Sequence, residues 1–398
     1  MRVIASTSRP DDMHPITNPV LLTRELVRIP SVTPDASAAL DLVQGWLEPL
    51  GFRCRRLVFD GDGSYPVDNL YARLGDSAPN LAFAGHVDVV PPGDLARWTV
   101  DPFAGEIRDG HLWGRGAADM KSGVACFVAA AARHLERHGP PAGSVSLLIT
   151  GDEEADAVNG TAKLLEWCAR NGEAFDACVV GEPTCPQVLG DVAKMGRRGS
   201  LDARITVRGR QGHTAYPSRA DNAAHRLLAV LADLRATPLD EGTEFFQPSN
   251  LEVTSVDVGN PAGNVIPGEA GARLNIRFND RHTRVSLERD LRARIAALAP
   301  DFDLNVRCNA EAFHTRPGRL TEVLAASVEE VTGLRPELNT LGGTSDARFV
   351  QRYCPVVEFG LVGATLHQAD ERVTLGDIEG LTRIYEALLR RYFSGGDA

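Results

Sequence analysis

Apolar positions along the chain recur at two spacings, one helical and one strand-like. Asn18–Leu26 and Ala36–Leu50 each carry an apolar stripe at helical spacing, and Gly51 closes the second. Phe52–Phe59, Asn69–Leu74 and Asn80–Ala84 are short apolar runs that predict strands. An alanine-rich helix packed along one side is predicted over Ser122–His138. Ser144–Thr150 and Ala177–Val180 predict strands on either side of a helix at Gly160–Ala169. This alternation predicts an α/β layer architecture, a mixed sheet flanked by helices.

The pattern changes near residue 198. Within Ser200–Val207, the residues Leu201, Ala203, Ile205 and Val207 alternate onto one face. A helical stretch at Asn222–Leu234, strands at Asn250–Val258 and Ala272–Phe278, a helix at Val285–Leu298 and a strand at Asp303–Cys308 follow. That order, β-α-β-β-α-β, predicts a small α+β ferredoxin-like unit. From Gly318 the earlier alternation resumes, with helices at Leu320–Thr332, Ser345–Tyr353 and Leu375–Tyr392 and a strand at Val356–Gly360. The chain therefore reads as a discontinuous domain, 1–197 and 310–398, interrupted by an inserted domain at 198–309. Residues 1–17 read as a loose lead-in.

Composition narrows the function classes. The formal net charge of the 398 residues is -11, and no basic stripe of the kind nucleic-acid binders need is present. The acidity also disfavours an anionic membrane surface. Seven cysteines are scattered without a CxxC pair, which argues against a disulfide scaffold and a zinc–cysteine site. The N-terminal stretch lacks the apolar run of a signal peptide, and no segment reaches the roughly 20 apolar residues of a membrane span. A cytoplasmic location is the expectation.

The candidate chemistry sits where apolar runs end. The first cluster is AGHVDVVPPG, residues 84–93, where His86 and Asp88 lie two apart at a strand end. Asp88 is placed to accept a hydrogen bond from the far nitrogen of a metal-ligating His86; a turn histidine with a solvated aspartate is the plainer reading. Asp119, in WGRGAADMKSG, precedes the predicted helix and suits either a site at the strand ends or an ordinary N-cap. The strand Val145–Ile149 runs into Asp152, Glu153 and Glu154, acids that repel one another unless they share a cation or reach solvent. Glu182 follows another apolar strand at a glycine, and His367 lies in the loop before the last helix. In open α/β sheets the site lies beyond the carboxyl ends of the strands. Two histidines with three or four carboxylates suit two divalent ions, and imidazole with carboxylate suits zinc, cobalt or manganese better than magnesium.

The inserted domain has its own signals. His213 and Tyr216 lie in the Gly-flanked RGRQGHTAYPS, Asn264 in GNPAGNVIPG, and Arg197 and Arg198 at the domain junction. Donors there suit a carboxylate or an oxyanion. Other readings fail on the residues. GRGAAD lacks the GxGxxG context, and the P-loop, the GxSxG elbow and HExxH are absent. GGTSD, residues 342–346, stops short of a phosphate loop, and Ser345 reads as the cap of the helix after it.

Together these motifs resemble the M20 metallopeptidase family. The resemblance runs from VRIPSVTPD (27–35) through GHVDVVPPG (85–93), WTVDPF (98–103), DGHLWGRGAADMKSG (109–123), GDEEADAVNGT (151–161) and VGEPT (180–184). It continues through LGDVAKMGRRGS (189–200), GHTAYP (212–217), NVIPGE (264–269), FHTRPG (313–318), LGGTSDARF (341–349) and ATLHQADERV (364–373). By this resemblance Asp119 is the bridging ligand of two ions, zinc first and cobalt second. His86 and Glu182 are expected to hold one ion, and Glu154 and His367 the other. Glu153 is then the general base and Asp88 the orienting acid. His213 resembles a lid-domain histidine that reaches the partner's active site in dimeric relatives, with Asn264 beside it. That implies a homodimer and makes the inserted domain its dimerisation lid. Arg197, Ser200, Tyr216, Arg281, Gly343, Thr344 and Ser345 occupy positions similar to those around the substrate. The implied reaction is hydrolysis of the succinyl amide of N-succinyl-LL-2,6-diaminopimelate, an acylated amino-dicarboxylate of the lysine pathway. Acetylornithine deacetylation, aminoacylase and dipeptidase activity, and a non-catalytic binding module, are the alternatives. The chain departs from the pattern by an N-terminal extension and by extra residues around Glu269–Ala272, which read as a turn.

Overall fold

The computed structural model describes residues 16–394, so the expected lead-in falls almost entirely outside the described residues. Two compact units are present. One comprises the chain up to Met195, Thr315–Leu338 and the chain from Phe349; the other comprises Gly196–His314 and Asn339–Arg348. The second unit thus starts at Gly196 rather than 198 and takes in more of the chain than 198–309. Local pairing accounts for this. Gly196–Arg197 pairs antiparallel with Phe313–His314, and Thr340 donates from Oγ1 to the carbonyl of Phe245.

The first unit is built on a mixed eight-stranded sheet. Its order is Arg53–Gly61, Ser64–Leu74, Ser144–Thr150, Asn80–His86, Ala177–Val180, Val356–Glu358, Val192–Lys194 and Glu337–Asn339. Ser144–Thr150, Asn80–His86, Ala177–Val180 and Val356–Glu358 run parallel to one another. These central strands are buried on both faces, which is why they appear in the sequence as unbroken apolar runs. The helix Lys121–His138 covers them with alanine and glycine. A Cβ on Gly123 would lie 2.5 Å from the carbonyl of Gly181, so only glycine lets the helix start come this close to a strand end. Phe83 stacks on Phe127 at 4.2 Å and meets the edge of Tyr385 at 5.7 Å. Each fully buried ring of this kind contributes about 2–3 kcal/mol.

A small three-stranded sheet, Glu106–Arg108, His111–Trp113 and Arg372–Thr374, has no periodic signal because its strands are too short. Its pairing ties the chain before Asp119 to the chain after His367.

The second unit carries an antiparallel sheet in the order Asn250–Asp257, Glu269–Phe278, Gly199–Arg208 and Phe302–Ala310, with helices Ala223–Ala236 and Arg284–Leu298. In chain order this is the expected β-α-β-β-α-β. The predicted turn at Glu269–Ala272 is instead the first part of a strand, paired with Ile205–Arg208. Ala270 and Ala272 alternate inward there, but alanine and glycine give a weak strand signal. The helix expected over Ser345–Tyr353 is only Ala347–Val350, and Ser345 Oγ accepts its first free amide, from Ala347, at 3.3 Å. Among the described residues no helix is long and apolar enough to cross a membrane.

Candidate metal centre

Three adjacent parallel strands of the first unit deliver the acids and the imidazole. Asn80–His86 ends on His86, opposite Thr150 of the neighbouring strand, and Glu153 and Glu154 follow directly. On the other side Ala177–Val180 runs out through Gly181 into Glu182. Asp119 comes from the loop before the helix Lys121–His138. It does not cap that helix: Met120 holds the N-cap position, with no side-chain cap bond. His367, in the loop before the last helix, has φ 60, an uncommon conformation for a non-glycine residue and one that recurs at functional sites.

These side chains converge. His86 is buried, and its Nε2 lies 3.3 Å from Asp119 Oδ1 and 3.7 Å from Glu182 Oε1. His367 Nε2 lies 3.3 Å from Asp119 Oδ2 and 3.1 Å from Glu154 Oε1. Two sets, His86–Glu153–Glu182 and His86–Asp119–Glu154, each bring their ligand atoms within 4.8 Å of one another.

The electrostatics fit a cation. Burial pushes the His86 imidazole down, but the carboxylates of Asp119, Asp88 and Glu182 outweigh it and hold the ring well above its ordinary value. Asp119 and Glu154 raise His367 to about 10. Burial raises Asp119, yet the two histidines pull it far below the carboxylate range. Carboxylates that raise both imidazoles mark a locally negative cluster, which suits divalent cations with the imidazoles neutral and free to ligate.

Asp88 organises the cluster from beneath. It is fully buried and accepts from Thr33 Oγ1 at 2.7 Å and from the amides of Glu153 and Glu154 at 3.3 and 3.2 Å. The expected bond from His86 to its carboxylate is long, 3.5 Å, while Nδ1 lies 2.9 Å from the Asp88 carbonyl oxygen. A backbone acceptor fixes the tautomer as well as a carboxylate does. Asp152 shapes the same turn, accepting from Tyr65 Oη at 2.6 Å and from the amide of Val158 at 3.0 Å.

Two buried charges here were not singled out in the sequence. Lys121 donates to the carbonyls of Leu26 and Ile29 at 3.0 and 2.7 Å, and burial lowers its pKa to about 7. Glu371 accepts from Arg115 and from backbone amides of the Asp119 loop. Its only signal was its place in the HQADE segment.

The remaining sequence-predicted residues lie in the second unit, in two groups. Arg197 donates from Nη1 to the carbonyl of Leu341 at 3.3 Å, and a Cβ on Gly342 would meet that nitrogen at 2.7 Å. Gly343, Thr344 and the buried Ser345 continue this segment, and Arg348, also not singled out, donates to Thr344 Oγ1 at 3.4 Å. Ser200 is buried near the same end of the sheet, paired with Arg277. The second group is His213, Tyr216 and Asn264. The His213 and Tyr216 rings are 5.7 Å apart, and the Thr214 amide donates to the Asn264 carbonyl at 3.1 Å. Register places these groups at opposite ends of the sheet: Gly199 pairs with Phe278 and Arg208 with Glu269, the two ends of a ten-residue strand. Ten residues of strand span roughly 33 Å. Arg281 joins neither group through its hydrogen bonds. Its amide donates to Asn279 Oδ1, and it lines a cavity of about 640 Å³ with His282, Arg289 and Arg294.

Two candidate metal-binding clusters at the strand ends of an open α/β sheet fit a metal-dependent hydrolase. More specifically, the model of Peptidase family M20/M25/M40 matches residues 82–391, and the chain belongs to that family. It is 59% identical over 380 residues to the succinyl-diaminopimelate desuccinylase of Rhodospirillum centenum, covering 96% of this chain and 98% of that protein. Identity to the protein of the same name from Gluconacetobacter diazotrophicus is 58%, over 95% and 98% of the two chains. Among solved structures, the aminopeptidase PepT of Bacillus cereus superposes with a TM-score of 0.77 at 19% identity, covering 94% of this chain and 98% of that one. The M20 family metallo-carboxypeptidase Sso-CP2 of Sulfolobus solfataricus gives 0.74 at 16%, over 94% and 99%. At such identities these likenesses establish the fold.

Proposed function

We propose that the chain hydrolyses N-succinyl-LL-2,6-diaminopimelate to succinate and LL-2,6-diaminopimelate, in diaminopimelate and lysine biosynthesis. The observation that carries this is the 59% identity, along almost the whole of both chains, to a relative named for that activity. The donors gathered around Arg197 and Thr344 suit the carboxylate of a dicarboxylic acyl group. A cytoplasmic location is part of the proposal, and cell fractionation tests it.

In this reading His86 and Glu182 hold one ion, Glu154 and His367 the other, and Asp119 faces both. The spacing of the side chains supports the pairing. Imidazole–carboxylate sets favour zinc, with cobalt as the second choice. When bound, the ions supply Lewis acidity and lower the pKa of a water nucleophile. Glu153 takes the proton of the attacking water and passes it to the leaving amine, base first and acid afterwards. Asp88 holds the Glu153–Glu154 turn and the His86 ring in place for that transfer.

The reading also includes a homodimer in which His213 and Asn264 serve the other copy's metal centre and stabilise the oxyanion. The separation of His213 from Arg197 and Ser200 within one copy of the sheet supports it: one small substrate cannot meet both groups of a single copy. Tyr216 and Arg281 stay substrate-binding residues in this reading.

The test is a substrate panel on zinc-loaded enzyme, comparing succinyl-diaminopimelate, acetylornithine and simple dipeptides. A kcat/KM on the order of 10²-fold or more in favour of the first is expected. A preference for either of the others would make the chain a different amidohydrolase of the family.

A further inference from the structure

We infer that Glu371 is a positioning residue of the metal centre, setting where Asp119 stands against His367 without ligating metal. This rests on the reading of Asp119 and His367 as ligands.

Both Glu371 oxygens are fully engaged. Oε1 accepts the amides of Ala118 and Asp119 at 2.7 and 3.1 Å, and Oε2 accepts the amide of Gly116 at 3.1 Å and Arg115 Nη1 at 2.6 Å. The residue is fully buried, and Arg115 beside it is 2% exposed. The same two loops are stitched twice more. The Gly114 amide donates to the Glu371 carbonyl at 2.9 Å, and Arg372–Thr374 pairs with His111–Trp113. Glu371 stands four residues after His367, on the same loop. One carboxylate therefore clamps the backbone that presents Asp119 to the loop that presents His367.

The loop has little freedom to adjust. A Cβ on Gly116 would meet Val89 and Lys121 at 2.6 and 2.9 Å, so the backbone is packed on its far side. Four donors converge on Glu371, and only an ionised carboxylate satisfies them all. Glutamine would turn an NH₂ group toward N–H donors and leave buried donors unpaired. Aspartate keeps the charge but is one methylene short of the cradle. A ligand-bearing loop displaced by a fraction of an ångström loses metal affinity, typically about 10–100-fold when such a supporting contact is removed.

The test compares wild type, Glu371→Asp and Glu371→Gln in the full chain. Zinc affinity is measured by chelator competition, the visible spectrum after cobalt loading, and the thermal midpoint of the metal-free proteins. The expected result is a loss of zinc affinity of about 10–100-fold and a changed cobalt band in each variant that folds. Unchanged affinity and spectrum with only a lower thermal midpoint would make Glu371 a stability residue and overturn the inference. Hydrogen exchange on metal-free wild type covers the case in which neither variant folds. Protection of the peptide over residues 114–120 before metal is added supports the cradle; fast exchange that slows only on metal binding overturns it. A wild-type chain that binds neither zinc nor cobalt would sink the metal reading itself, whereas wild-type binding matched by the variants sinks only the role of Glu371.

Discussion

Oδ2 of Asp119 lies 3.3 Å from Nε2 of His367, and the other oxygen of the same carboxylate lies 3.3 Å from Nε2 of His86. One short side chain thus faces both imidazoles. An amide at this position keeps one ligating oxygen and turns a non-ligating NH₂ to the other imidazole. Asp119→Asn is expected to lower zinc affinity at both positions, by on the order of 10²-fold or more, and His367→Ala at one position only. Metal content after equilibrium dialysis distinguishes the two patterns.

Glu153 follows the end of its strand and brings a carboxylate oxygen within 4.8 Å of the ligand atoms of His86 and Glu182, while its amide is held by Asp88. Glu153→Ala is expected to lower kcat by about 10²–10⁴-fold with both metals retained. Glu153→Asp should recover only part of the loss. Near-normal turnover in the metal-loaded alanine variant would remove the residue from the reaction.

The distance between the two ends of the second unit's sheet leads to a complementation experiment. His213→Ala and Glu153→Ala are each expected to be nearly inactive. Mixed and re-formed dimers should regain activity, up to about one quarter of wild type if assortment is random and one composite site per heterodimer is intact. No regain, with heterodimers verified by mass, would place His213 in its own copy's site or outside the reaction.

Much of this arrangement was legible in the chain, for identifiable reasons. Ser144–Thr150 and Ala177–Val180 are apolar on both faces, and each run stops at a glycine followed by acids. An abrupt change of that kind is how the end of a buried parallel strand appears in sequence. What stayed hidden acts through backbone or through small residues. Glu371 works by accepting main-chain amides, which leaves no periodic trace. Glu269–Ala272 is strand without strand-forming side chains, because its pairing is dictated by the neighbour at Ile205–Arg208. Lys121 is a charged residue whose burial only the fold creates, and Arg348 becomes half-buried in the same way. The separation of His213 from Arg197 required register, which the alternation of Leu201–Val207 alone does not supply.

Asp240 provides a pH test in the second unit. Burial raises its carboxyl, but donation from Ser249, Gly242 and Asn279 brings it down to about 2, and His282 lies at 3.0 Å. Because the folded pKa is below the ordinary 3.8, the stabilisation is full above about pH 4 and is lost as pH falls toward 2. Asp240→Asn is expected to cost on the order of 2 kcal/mol at pH 7. In denaturant unfolding at steps from pH 7 to pH 3, the gap from wild type should narrow once pH drops below 4. A gap that stays constant across that range would contradict the assignment.

Anomalous diffraction at the zinc edge from zinc-loaded crystals would show whether two ions lie on either side of Asp119. Two peaks per chain are expected, one between His86 and Glu182 and the other between Glu154 and His367, each within bonding distance of an Asp119 oxygen. A single peak, or peaks away from Asp119, would contradict this arrangement.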